Sequence, residues 1–214
     1  MSDHLLPGLE PRGVPKGLKG TVHPFNYNDF DSLNQIVTNQ NIGAIKMEVV
    51  RNIVPDGDFL KKVRELATRK GIVLIFDECT SGFRESLGGI HKNYNIEPDM
   101  AVFGKALGNG YAITAVIGKK EIMDAVQTSF ISSTFWTERI GPTAALKTLE
   151  IMEKMKSWEI ITNKGLNIKE GFKELATAHD LKIDQWGIPS LSGYTFKSEK
   201  FLEYKTYVTQ EMLK

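Results

Sequence analysis

The run Ile72 to Phe76, "IVLIF", has no polar residue on either face of a strand, and this restricts what the chain can fold into. Successive strand side chains point to opposite faces, so a strand apolar at every position needs cover on both. Such strands belong to parallel sheets sandwiched between helices. The surroundings agree. "PDGDFLKKVRELATRKG" predicts a helix with Asp58 as N-cap, an apolar stripe of Phe59, Leu60, Val63, Leu66 and Ala67, and Gly71 as its left-handed end. "DFDSLNQIV", from Asp29, predicts another capped helix, with Phe30, Leu33 and Ile36 on one face. "IGAIKMEVV", Ile42 to Val50, has the length and β-branched content of a strand.

Further along, a short strand ("AVF"), a glycine turn and a second strand ("ITAVIG") continue the alternation. Strands alternating with helices predict an α/β layered fold around a mostly parallel sheet with flanking helices. From Gly141 to His179 the pattern is that of one long helix, with Pro142 tolerable in its first turn. The segment from Lys182 is short and mixed and ends on the helical "TYVTQEMLK". Residues 1–28, punctuated by Pro and Gly, read as an extended lead-in.

A formal net charge of +1 supplies no field for nucleic acid or anionic membrane, and no basic block or basic-aromatic stripe is present. Cys79 is the single cysteine, which leaves no intrachain disulfide and no thiolate metal cluster. His4, His23, His91 and His179 lack ligand spacing, so no metal site is expected. With no signal-peptide core and no run long enough to span a bilayer, the expected location is the cytoplasm.

In parallel α/β sheets, reactive groups collect past the carboxyl ends of strands. "IVLIF" delivers Asp77, Glu78 and Cys79; "MAVF" delivers Gly104 and Lys105, inside "DMAVFGKALGNGY". Three readings of Lys105 compete. A triphosphate loop needs the lysine after the second glycine with a hydroxyl beside it, whereas here it follows the first and Ala106 stands next. That reading fails, and the Gly-x-Gly-x-x-Gly dinucleotide pattern is absent too. A solvated turn is the plain alternative. The third is an amine nucleophile. A lysine bonded to pyridoxal phosphate needs an acid opposite the pyridine nitrogen, which Asp77 could supply. Strand-end Asp and Lys are common, so the pair alone leaves the last two readings open.

The blocks "LIFDECTSGFRESLGG", "IEPDMAVFGKALGNGYAITAVIGKKEIMD" and "SSTFWTERIGPTAALKTLE" resemble the class III (subgroup II) pyridoxal-phosphate-dependent aminotransferases of fold type I. The glutamate-1-semialdehyde 2,1-aminomutase-like branch is the nearest in flavour. The resemblance runs from about Val14 to about Lys214. It implies that residues 29–155 are part of the large domain of a fold type I transferase. It implies equally that 156–214 hold a long helix and the truncated start of the small C-terminal domain. Position by position, Lys105 would be the Schiff-base lysine and proton shuttle, and Asp77 the partner of the pyridinium nitrogen. Cys79 would pack on the ring where the family usually has valine. Thr134 would hydrogen-bond the cofactor phosphate, typically from the neighbouring subunit. Glu48 matches a family glutamate and is equally readable as a structural ion-pair member. Arg84 stays unassigned, and Glu78 should point away from the cofactor.

The family is about twice this length. The resemblance therefore implies that the upstream phosphate-binding turn and the ring-stacking aromatic lie outside this chain. "FWTERIGP" also replaces the family's "LSGNP" after Thr134. The expected function is amino-group transfer between a small-molecule amino donor and an oxo acceptor, with pyridoxal 5'-phosphate as cofactor. The expected assembly is a homodimer or a complex with a complementing N-terminal half. A truncated paralogue serving only as a binding or dimerisation subunit is the alternative.

Overall fold

The computed structural model describes residue 10 and residues 12–214, and the first nine positions of the lead-in lie outside the described residues. Helix α1 (Phe30–Asn39) starts where Asp29 accepts a hydrogen bond from the Ser32 N–H at 3.0 Å. Strand β1 (Ala44–Met47) follows, shorter than the apolar run predicts. The run stays buried beyond it, since Val49 and Val50 are sealed in the core although the backbone has left the sheet. The Tyr27 hydroxyl donates to the Val49 carbonyl there, and its ring meets Phe59 edge-on at 5.1 Å.

Helix α2 (Phe59–Lys70) ends at Gly71, whose φ of 66° is the left-handed geometry that glycine adopts without a Cβ penalty. Asp58 sits at the N-cap position, but its carboxylate makes no capping bond; it pairs with Lys62 at 3.0 Å instead. Strands β2 (Val73–Asp77), β3 (Met100–Phe103) and β4 (Ala115–Gly118) complete a sheet in the order β1-β2-β3-β4. β1, β2 and β3 run parallel, and β4 closes the edge antiparallel to β3.

The pleat divides this sheet into two unequal faces. Ile45, Met47, Leu74 and Phe76 bury against Leu33 and Val37 of α1 and Val63 and Leu66 of α2. Farther along the same face, Ala101 and Phe103 join Phe83, Leu107 and Ala145. Each fully buried Val, Leu, Ile, Phe or Met among them contributes roughly 1.5–3 kcal/mol against exposure. The opposite row, which includes Val73, Ile75, Met100 and Val102, is only half-buried. The two-sided cover that "IVLIF" predicts is thus supplied on one side by the described residues.

After a short helix α3 (Lys120–Met123), the expected single long helix is two helices, α4 (Ile140–Met155) and α5 (Ser157–Ala178). Lys156 separates them at φ 49°, a left-handed cap whose N–H returns to the Met152 and Glu153 carbonyls. Pro142 lies in the first turn of α4, and the Glu138 carboxylate accepts from the Ile140 and Gly141 N–H groups, the latter at 3.0 Å. The break lets α5 pass close to the turn Pro189–Leu191: a Cβ on Gly165 would lie 2.0 Å from the Pro189 carbonyl oxygen.

Beyond α5, strands β5 (Ile183–Trp186) and β6 (Gly193–Phe196) form an antiparallel pair, followed by helix α6 (Phe201–Met212). Phe172, Tyr194, Phe196 and Tyr204 stack in succession at centroid distances of 4.5, 5.5 and 5.5 Å, joining α5, β6 and α6. Ile188 inserts into the main core, tying this second unit to the first.

Candidate active site

Parallel pairing of β2 with β3 sets Asp77 opposite Val102, so both strands release their chains at the same edge of the sheet. The turn after β2 is tight. A Cβ on Gly82 would stand 2.6 Å from the Glu78 carbonyl oxygen, so the loop closes on itself only with glycine there. Gly108 plays the same part in the turn after β3, where a Cβ would lie 2.2 Å from the Tyr111 carbonyl oxygen. Lys105 opens that turn at φ 44°, a left-handed conformation that costs a non-glycine residue about 1–2 kcal/mol. Its carbonyl accepts from the Gly108 and Asn109 N–H groups at 3.2 and 3.0 Å, which holds the residue in place.

The Lys105 ammonium donates to the Thr80 hydroxyl oxygen, across from the end of β3 to the turn after β2. Asp77 uses both carboxylate oxygens. Oδ1 accepts from the Cys79 N–H at 3.1 Å, and Oδ2 accepts from the Lys46 ammonium at 2.8 Å. Partial burial pushes the Asp77 carboxyl up; the Lys46 bond, the Cys79 N–H and the Lys46 charge outweigh it and hold the carboxyl below its ordinary range. Cys79 lies between the groups and feels Asp77, Lys105 and Lys46. Burial raises its thiol, and hydrogen bonding to Asp77 with that residue's charge raises it further, so it stays a neutral filler.

Asp77, Cys79 and Lys105 therefore meet on one rim. Thr134 does not join them: it lies in an exposed turn, flanked by Phe135 and Trp136 at 73% and 72% exposure, and among the described residues no contact links it to Lys105 or Asp77. Glu78 points away from the rim into the core, fully buried. Its Oε1 accepts from the His91 N–H at 3.1 Å and pairs with Nδ1 at 2.9 Å, and Oε2 accepts from the Ser81 hydroxyl at 2.5 Å. Glu48 pairs with Arg51 at 3.4 Å, and Arg84 donates to the Thr80 carbonyl at 3.4 Å.

Two rim residues escape a reading of the sequence. Lys46 carried a faint signal, as a lone cation inside the apolar run "IGAIKMEVV". Thr80 carried none. An ionised carboxylate and an amine, on neighbouring strand ends and separated by a neutral thiol, match what a pyridine ring bearing an aldehyde needs around it.

The layered sheet with this rim is the fold type I architecture of pyridoxal-phosphate-dependent transferases. The structure of the Sphingopyxis sp. FumI protein, in its pyridoxal-phosphate internal aldimine form, superposes with a TM-score of 0.82 at 24% identity, over 88% of this chain and 47% of that one. Acetylornithine aminotransferase from Elizabethkingia anophelis gives 0.71 at 25% identity, over 81% of this chain and 45% of the other. The chain belongs to the class III aminotransferase family, whose model matches residues 25–190. It is 35% identical to 3-aminobutyryl-CoA aminotransferase of Cloacimonas acidaminovorans over 92% of its own length and 50% of the relative's. To glutamate-1-semialdehyde 2,1-aminomutase of Sulfolobus acidocaldarius it is 36% identical, over 80% of this chain and 42% of the other. The chain spans about half the length of the relatives it matches. The cofactor of the family is pyridoxal phosphate. Among the described residues no helix is long and apolar enough to cross a membrane.

Proposed function

We propose that this chain is the lysine-bearing half of a pyridoxal-phosphate-dependent aminotransferase or aminomutase, moving an amino group between a small amino compound and an oxo acid, aldehyde or keto-sugar. The observation that carries the reading is the pairing of Lys105 with Asp77 at adjacent strand ends, with the Lys105 amine anchored on Thr80. When bound, pyridoxal phosphate supplies an aldehyde that condenses with amines and a ring that accepts an electron pair.

Each remaining part of the chemistry falls to a residue of this chain. Lys105 would hold the cofactor through its side-chain amine, and the same amine, when free, would move a proton between substrate and cofactor carbons. Asp77 keeps a negative charge under the ring nitrogen, which holds that nitrogen protonated. Cys79 packs on the ring face as an apolar surface. Thr134 would hold the phosphate of a cofactor in a neighbouring subunit, a role that fits its exposed position in a turn. In this scheme residues 29–155 form part of the large domain, and 156–214 begin the small one. The rest of the phosphate's contacts would come from the upstream half of the class III relatives, which this chain does not span.

Titration with pyridoxal phosphate tests this directly, on the chain alone and with the upstream half of a class III relative added. The expected result is a visible absorbance band of the condensed aldehyde that Lys105→Ala abolishes. No band in either setting sinks the catalytic reading and leaves a non-catalytic subunit.

A further inference from the structure

The carboxylate assigned to the ring nitrogen is already engaged within the chain. Lys46 lies on β1 with its side chain on the open face of the sheet, in register with Ile75 of β2. Its ammonium ends on Asp77 Oδ2 at 2.8 Å. The other oxygen is taken by the Cys79 N–H. A protonated pyridine nitrogen arriving at Asp77 therefore meets a carboxylate with both oxygens engaged, one of them by a cation. Two cations drawn to one carboxylate oxygen repel each other, so the ring nitrogen and Lys46 compete for it. The Lys46 side chain is 61% exposed against 23% for Asp77, which gives the ammonium a short path into water while the carboxylate stays where it is.

We propose that Lys46 is the resident counter-ion of Asp77, and that a protonated pyridine nitrogen takes the carboxylate by displacing its ammonium. The inference rests on the cofactor reading given above. Lys46 is a positioning residue in this account. It keeps the Asp77 charge neutralised, and the side chain fixed, until the ring nitrogen arrives. It also weakens the hold on the ring by the strength of the pair it gives up. An ion pair this exposed is worth up to about 1 kcal/mol, which corresponds to about a 5-fold change in affinity.

The experiment is equilibrium dialysis of two probes, pyridoxal 5'-phosphate and its carbocyclic analogue with CH in place of the ring nitrogen. It is run on the wild type, Lys46→Met and Lys46→Arg, each alone and with the upstream half of a class III relative added. Lys46→Met is expected to bind pyridoxal phosphate about 5-fold tighter, within the range an exposed ion pair allows. Lys46→Arg should match the wild type, and the carbocyclic probe should bind all three alike. If Lys46→Met binds pyridoxal phosphate no tighter, or if both probes shift together, displacement at Asp77 is wrong while the cofactor reading stands. If Lys46→Arg behaves as Lys46→Met, charge is not the reason and the assignment is equally overturned. Failure of pyridoxal phosphate to bind any of the three, in either setting, removes the cofactor reading and the Lys46 assignment with it.

Discussion

Replacement of Asp99 should be among the most damaging single changes away from the rim. Its carboxylate, 9% exposed, holds three elements at once. Oδ2 accepts from the Leu74 N–H of β2 at 2.8 Å and from Arg64 of α2 at 2.9 Å, and Oδ1 accepts from Lys119 beside β4 at 2.7 Å. Asp99→Ala leaves the Leu74 N–H without its side-chain acceptor and strips the largely buried Arg64 guanidinium of its counter-charge, with the Thr68 hydroxyl and Glu97 carbonyl as its remaining partners. Breaking a buried charged pair costs about 3–5 kcal/mol, and the half-exposed Lys119 adds little to that. Asp99→Asn keeps the shape and one acceptor, so about 1–2 kcal/mol is expected from the lost charge.

Urea unfolding at neutral pH measures both variants. Burial pushes the Asp99 carboxyl up, but the Leu74 N–H, Lys119 and Arg64 together hold it below its ordinary range. A depressed carboxyl stabilises the fold above its unfolded pKa, and that contribution disappears as pH falls through the lower folded value. The gap between wild type and Asp99→Asn should therefore be constant from neutral pH down to about pH 4 and close below it. A loss under about 1 kcal/mol for Asp99→Ala, or a gap that persists unchanged in acid, would refute the reasoning.

Two further outcomes follow from the same physics. Glu78→Gln retains the volume but turns one carboxylate oxygen into an amide NH2, which cannot accept from the Ser81 hydroxyl or the His91 N–H; thermal unfolding should show a loss of about 2 kcal/mol. Lys156→Gly removes the left-handed strain at φ 49° between α4 and α5 and gives up only an exposed ion pair of 3.8 Å to Glu159; a gain of about 0.5–1 kcal/mol is expected by the same assay.

Much of the layered core was legible because its signals are local. The alternation around "IVLIF", the stripe Phe59 to Ala67 and the stop at Gly71 each draw on a few consecutive residues, and each appears where they predict. The break at Lys156 was not legible, because lysine is an ordinary helix former. The break lets α5 pass close to the turn at Pro189, where Gly165 meets it, a contact between segments far apart in sequence. The missing cover over Val73 and Ile75 shows the converse: the strand's composition records a neighbour on both faces, although the described residues supply only one.

At the rim, Asp77 and Lys105 stood out because a strand end marks them. Their partners did not, since the Thr80 hydroxyl and the Lys46 ammonium reach them across strands whose spatial order the sequence does not print. Thr134 illustrates the limit of a single chain. Its proposed target lies in another polypeptide, so no contact within this one could reveal it.

The central claim is that Lys105, among the many lysines of this chain, is the amine that bonds to the cofactor. Borohydride reduction of the pyridoxal-phosphate-treated protein, followed by peptide mass spectrometry, reads this directly. The predicted result is a phosphopyridoxyl group concentrated on the peptide containing Lys105, and absent from that peptide in Lys105→Ala. Labelling spread evenly over surface lysines, with Lys105 no more modified than the rest, would contradict it.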